Sequence, residues 1–164
     1  MDLTRAIVFL HVVGAFMFVA GHGVSMFVVF QARKERDRGR LAAILDLSGW
    51  SLGVAGVGLL ILLVAGIAAG IMLGSFGKLW IWVSLVLLIV IGGLMTPVGG
   101  TYLRKLRVAL GQPMRGAKPG DPAPVAVSDG ELVALQASNA PELLLAIGAV
   151  GFVVILYLMM FRPF

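Results

Sequence analysis

Two histidines, His11 and His22, lie inside the first apolar stretch, Ala6 to Phe30, which is the only hydrophobic segment with ionisable side chains deep within it. A neutral imidazole offers one N–H and one lone pair, so in an apolar run it can ligate a metal, hold a haem axially or pass a proton. Eleven residues separate the pair, which on an α-helix puts them about 20° apart around the axis and about 16 Å apart along it. They share a face with Gly14, Ala15 and Ser25, whereas Phe9, Val13, Phe16, Ala20 and Phe27 take the opposite side. The small, polar face is expected to point into a helix bundle and the large apolar face toward lipid. With the span centred on roughly 30 Å of hydrocarbon, His11 falls about 10 Å to one side of the centre and His22 about 6 Å to the other. A single haem cannot take both as axial ligands, since those stand on opposite faces of one iron. A further ligand has to come from Met26, Met72 or Met95, or from the same histidine of a second copy. Three readings of the pair stay open: a metal or haem site, a proton or ion path, and imidazoles that bond neighbouring carbonyls or hydroxyls and join helices.

The elements that must position these residues follow from composition. The chain has 164 residues, of which 60% are hydrophobic and 13% charged, and its mean hydropathy is +1.03. Soluble domains carry about 45–50% apolar and about 25% charged residues, so this composition belongs to a membrane protein with the lipid bilayer as its solvent. The absence of cysteine excludes disulfides, thiolate metal sites, Cys nucleophiles and covalent c-type haem. A net charge of +5 raises the question of nucleic acid, but the basic residues flank apolar spans and are explained by membrane topology; no nucleic-acid partner is expected. The first apolar run exceeds the roughly 7–15 residues of a signal-peptide core, so a spanning helix is expected there rather than a cleaved leader.

The expected fold is all-α, an antiparallel bundle of four transmembrane helices in one domain, with spans at about 6–30, 49–73, 79–103 and 141–161. Leu41 to Ser48 reads as an amphipathic approach to the second span. Gly49 with Gly53, and Gly66 with Gly70, have the small-xxx-small spacing that permits close helix approach. Gly74 to Lys78 forms a tight turn, Trp80 and Trp82 stand at interfacial depth, and Pro97 is expected to kink the third span. Residues 108–140, with Pro113, Pro119, Pro122 and Pro124, read as a flexible cytoplasmic loop. Within it Ser128 and Glu131 have capping-box spacing for a short surface helix, Asp129 to about Ala137, and Asn139 with Glu142 repeats that spacing before the last span. The segments 31–40 and 104–140 hold five Lys or Arg each, against Arg5, Lys78 and Arg162 on the other side. The bias predicts both basic segments in the cytoplasm of a bacterial inner membrane and both termini outside. The basic segments also suit anionic lipid headgroups without a dedicated pocket.

The stretch Leu10-His11-Val12-Val13-Gly14-Ala15 resembles the opening of an uncharacterised family of small bacterial four-helix integral membrane proteins. More distantly it is similar to the copper-resistance D-type membrane domains and the HemJ-type protoporphyrinogen oxidases. In the last group the first-helix histidine is associated with haem b and a lysine leads into a later span; the matching positions here are His11 and Lys78. The resemblance implies haem b at His11 with Lys78 as an accompanying candidate; His22 and Met26 are candidates from their place on the first span. The smaller span count and proline-rich loop depart from those oxidases and argue against their activity. No phosphate-binding glycine loop, Ser-His-Asp set or H-E-x-x-H sequence occurs, so hydrolytic or nucleotide chemistry has no support. The leading expectation is haem-b binding for electron transfer or redox sensing. The alternatives are a non-catalytic accessory or assembly subunit and a small solute or metal-ion permease. A bundle this small has little interior of its own, so a homo-oligomer or a place beside a larger membrane complex is expected.

Overall fold

The computed structural model describes residues 2–113, 122 and 124–164. It contains α1 (Leu3–Lys34), α2 (Arg38–Met72), a 3-10 turn (Ser75–Gly77), α3 (Leu79–Ala109), α4 (Asp129–Gln136) and α5 (Ala140–Phe161), with no strand among the described residues. Four helical stretches are long and apolar enough to cross a membrane: α1, α2, α3, and α4 taken together with α5. The protein is an all-α, multi-pass integral membrane protein.

The helices are longer than the apolar runs. At 1.5 Å per residue α2 extends about 50 Å, well beyond the roughly 30 Å of hydrocarbon. The expected approach 41–48 is therefore no separate element but the first turns of α2. The basic segment 31–40 shrinks to a short link, Glu35 to Asp37, and its two acids explain how. Glu35 Oε1 accepts the backbone N–H groups of Arg36 and Asp37, each at 2.9 Å. Asp37 then caps α2, accepting the Arg40 N–H at 2.8 Å. At the other end of α2, Gly74 has a φ of +60°, the left-handed conformation that glycine adopts without penalty, and the 3-10 turn leads into α3.

The helices pack as two pairs, α1 with α2 and α3 with α5. Along the first pair His11 meets Leu62, Gly14 meets Leu62, Gly21 meets Ser51 and Ala55, and Ser25 meets Ser48. Along the second, Ile91 lies on Gly151, Met95 on Gly148 and Leu144 on Gly99. In both pairs partner numbers fall as residue numbers rise. The close approach of α1 and α2 depends on Gly14 and Gly58. A methyl at Gly14 would lie 2.5 Å from the Leu62 nitrogen, and one at Gly58 would lie 2.5 Å from that of Phe18. The glycines expected to serve this role act differently: Gly53 has open space above it, Gly66 lies under the His11 ring, and Gly70 lies against Phe76 of the turn.

Among the described residues the two pairs share a core at their basic end, where Val29, Ala32, Leu41, Leu45, Tyr102, Leu106, Ala109, Leu132, Ala140 and Leu144 form one cluster. Every span contributes to it, and α4 closes it. The capping box of α4 is formed: Glu131 N–H donates to Ser128 Oγ, and Ser128 N–H donates to Glu131 Oε2. The expected second box is not. Asn139 makes no side-chain cap; Ser138 Oγ accepts the Ala140 N–H at 3.2 Å, and Glu142 pairs with Arg33 of α1 instead. An opposite charge across the helix gap competes successfully for a carboxylate that is otherwise free to turn back on its own helix. Of the expected loop 108–140, residues 114–121 and 123, Pro119 among them, lie outside the described residues. The remainder includes the end of α3 and all of α4, tied together by the Val127 N–H donating to the Ala109 carbonyl at 3.0 Å. Trp80 is buried and lies under Arg162, whose guanidinium carbon is 5.6 Å from the ring centroid.

Candidate functional site

The α1 face carrying His11 is turned toward α2, as its small residues lead one to expect. Gly14, Gly21 and Ser25 are buried, while Phe9, Phe16 and Phe27, on the far side, are 66%, 72% and 63% exposed. His11 Nδ1 lies 2.8 Å from the Leu62 carbonyl oxygen. A carbonyl only accepts, so Nδ1 carries the hydrogen, and in the neutral ring Nε2 is left with its lone pair free. The seat of the ring is Gly66. A methyl built there would stand 2.7 Å from His11 Nδ1 and 2.8 Å from Cε1. Only a residue without a side chain leaves room for the imidazole at this point.

His22 is held differently. Its ring packs edge-on against Phe18 with centroids 4.5 Å apart, and among the described residues no hydrogen bond holds it. One turn further on, Ser25 Oγ and Ser48 Oγ lie 3.1 Å apart, and Ser51 Oγ donates to the Ser48 carbonyl at 3.0 Å. These buried hydroxyls satisfy one another across the α1–α2 seam. Met26 is partly buried and packs against the shared core. Lys78 is exposed at the N-cap of α3, where its N–H bonds the Ser75 carbonyl; its side chain makes no ion pair among the described residues. Among the described residues no three His, Cys, Asp or Glu side chains gather into a metal site. The chain thus seats one nitrogen donor closely against α2.

The basic end is a separate constellation that periodicity does not reveal. Gln136 of α4 is 1% exposed. Its Nε2 donates to the Ala32 and Glu35 carbonyls at 2.7 Å each, and its Oε1 accepts from Arg36 at 2.7 Å. The last turn of a helix leaves its carbonyls without partners, and this one side chain serves two of those at the end of α1. Arg38 pairs with Asp129 at 2.7 Å and donates to the Val127 carbonyl at 2.6 Å. Arg107 pairs with Asp46 at 2.8 Å and also donates to the Leu45 carbonyl.

A family profile described as predicted integral membrane protein, DUF2269, matches residues 5–163. The chain belongs to the DUF2269 family. Its membership covers all four spans, both histidines and the basic end of this DUF2269 protein. No curated protein and no solved structure matches the chain. The family match does not extend the likeness to the copper-resistance D-type domains or the HemJ-type oxidases, which rests on Leu10 to Ala15 and on Lys78.

Proposed function

We propose that this DUF2269 protein binds haem b through His11 Nε2 and serves electron transfer or redox sensing in the membrane. The single observation that carries this reading is the His11 hydrogen bond to Leu62. Ligating histidines characteristically donate their other ring N–H to a carbonyl or carboxylate, which fixes the tautomer, orients the ring and strengthens the donor nitrogen. Here the acceptor and the space for the ring both come from α2, through Leu62 and Gly66. Bound haem b supplies a one-electron iron couple within a low-dielectric layer. His22, about 16 Å further along the same helix, would not reach the same iron; a second copy of the chain, through its own His11, would supply the other protein ligand. Positive-inside bias supports a topology with the basic end in the cytoplasm of a bacterial inner membrane and the termini outside.

The test is an absorption spectrum of the full chain, expressed with ample haem, for the unchanged protein and two variants. His11→Ala is expected to lose the Soret band. His11→Asn keeps a donor near the Nδ1 position but cannot ligate iron, so it should fold normally and remain colourless. An unchanged protein that is colourless yet folded contradicts the proposal.

A second reading draws on the same bond. If the imidazole only joins α1 to α2, the protein is an accessory subunit of a membrane complex, and His11→Asn then preserves every activity of that complex. The loss of activity with retained folding in His11→Asn separates the first reading from the second.

A further inference from the structure

The basic end carries a groove that the haem reading does not use. It has a volume of about 450 Å³ and runs between the last turns of α3 and the corner joining α4 to α5. Its polar lining is Thr101, Tyr102, Lys105 and Ser138, with Val98 and Leu135 among its apolar residues. None of the four polar residues is an acid, and each can donate a hydrogen bond. Lys105 makes no ion pair among the described residues. Ser138 accepts from the Ala140 N–H, which leaves its own hydrogen for another acceptor. Tyr102 is 4% exposed and its hydroxyl has no accessible surface, so it is closed to a ligand in the groove. An ammonium and the Thr101 and Ser138 hydroxyls, with no carboxylate in the lining, fit an anion.

The position of the groove defines the anion further. Thr101 and Lys105 are one turn apart where α3 passes from its apolar run to Arg104, Lys105 and Arg107, the level of lipid headgroups. The apolar wall continues from there along Val98 and Pro97 toward the hydrocarbon. A soluble anion would use the donors and ignore that wall, whereas a phospholipid uses both. We infer that the groove seats an anionic phospholipid, its phosphate held by Lys105, Thr101 and Ser138 and an acyl chain lying along Val98 and Leu135. The inference is independent of haem binding, since it involves neither histidine.

The test uses the full chain in nanodiscs of phosphatidylcholine, with or without phosphatidylglycerol, and follows thermal unfolding as the anionic lipid is titrated. Phosphatidylglycerol is expected to raise the unfolding temperature. Lys105→Gln should weaken the apparent affinity about tenfold, as loss of a charge-assisted hydrogen bond does. In phosphatidylcholine alone Lys105→Gln should unfold no earlier than the unchanged protein; its lost response then reflects the ammonium and not misfolding. Arg104→Gln removes the same charge one residue away, outside the groove lining, and should retain the response. Equal weakening by Arg104→Gln and Lys105→Gln would mean diffuse attraction and overturn the inference. So would an identical shift produced by inorganic phosphate in phosphatidylcholine discs, or no difference between the two lipids.

Discussion

A backbone position without a side chain decides what His11 can do. The imidazole rests where a residue-66 methyl would lie 2.7 Å from Nδ1, so Gly66→Ala must push the ring away from the Leu62 carbonyl. Overpacking and loss of a buried hydrogen bond each cost about 1–3 kcal/mol, and Gly66→Ala is expected to destabilise the protein by an amount in that range. In a His11→Ala background the same change should cost little, because the two residues act through one contact; unfolding of the four variants in detergent measures the coupling. The orientation of His11 was legible from helical periodicity, since glycine, alanine and serine on one face and phenylalanine on the other leave few choices. Its partner was not. Gly66 belongs to another helix, and the small-xxx-small spacing that singles it out predicts helix approach in general, without saying which neighbour approaches or that a ring fills the gap. Glu142 shows the same limit: its spacing from Asn139 matches a capping box, yet Arg33 across the helix gap takes the carboxylate.

At the level of elements, α4 matters more than its length suggests. Its start was readable locally, because a capping box is a bond pattern within four consecutive residues. Its role as a plug was not, since Gln136 bonds α1 carbonyls a hundred residues earlier and nothing near it in the chain signals that. Removing Gln136 leaves Ala32, Glu35 and Arg36 without these partners. Gln136→Ala is therefore expected to cost about 2–3 kcal/mol, the penalty for buried groups left unsatisfied. Ser128→Ala, which removes only the exposed cap, should cost about 1 kcal/mol. Amide hydrogen exchange gives the matching readout: Gln136→Ala should raise exchange in α4 and the last turn of α1, and Ser128→Ala in α4 alone. A result in which the cap variant is the more damaging would show that α4 is held by its own helicity and not by its docking.

For the molecule as a whole, apolar runs, turn residues and proline placement make the spans legible, because each is a property of a short window. The pairing of spans and the location of their common core depend on contacts far apart in sequence. The shared core lies at the basic end, so a cavity there should affect both helix pairs. Leu45→Ala is expected to destabilise by about 2–5 kcal/mol, while Leu60→Ala, at a lipid-facing position 64% exposed, should change stability little. Orientation is checked on this cysteine-free chain by single introduced thiols: an impermeant maleimide applied to spheroplasts should label Phe164→Cys and spare Val125→Cys, and the reverse would invert the proposed topology. The central claim concerns His11 in an assembly of at least two chains, and one measurement meets it directly: the reduced-minus-oxidised absorption spectrum of the unchanged, haem-supplied protein, taken on the oligomeric fraction. Ligation by His11 from two copies predicts the sharp α-band and Soret shift of low-spin haem b at one haem per two chains. A flat difference spectrum from folded protein would contradict it.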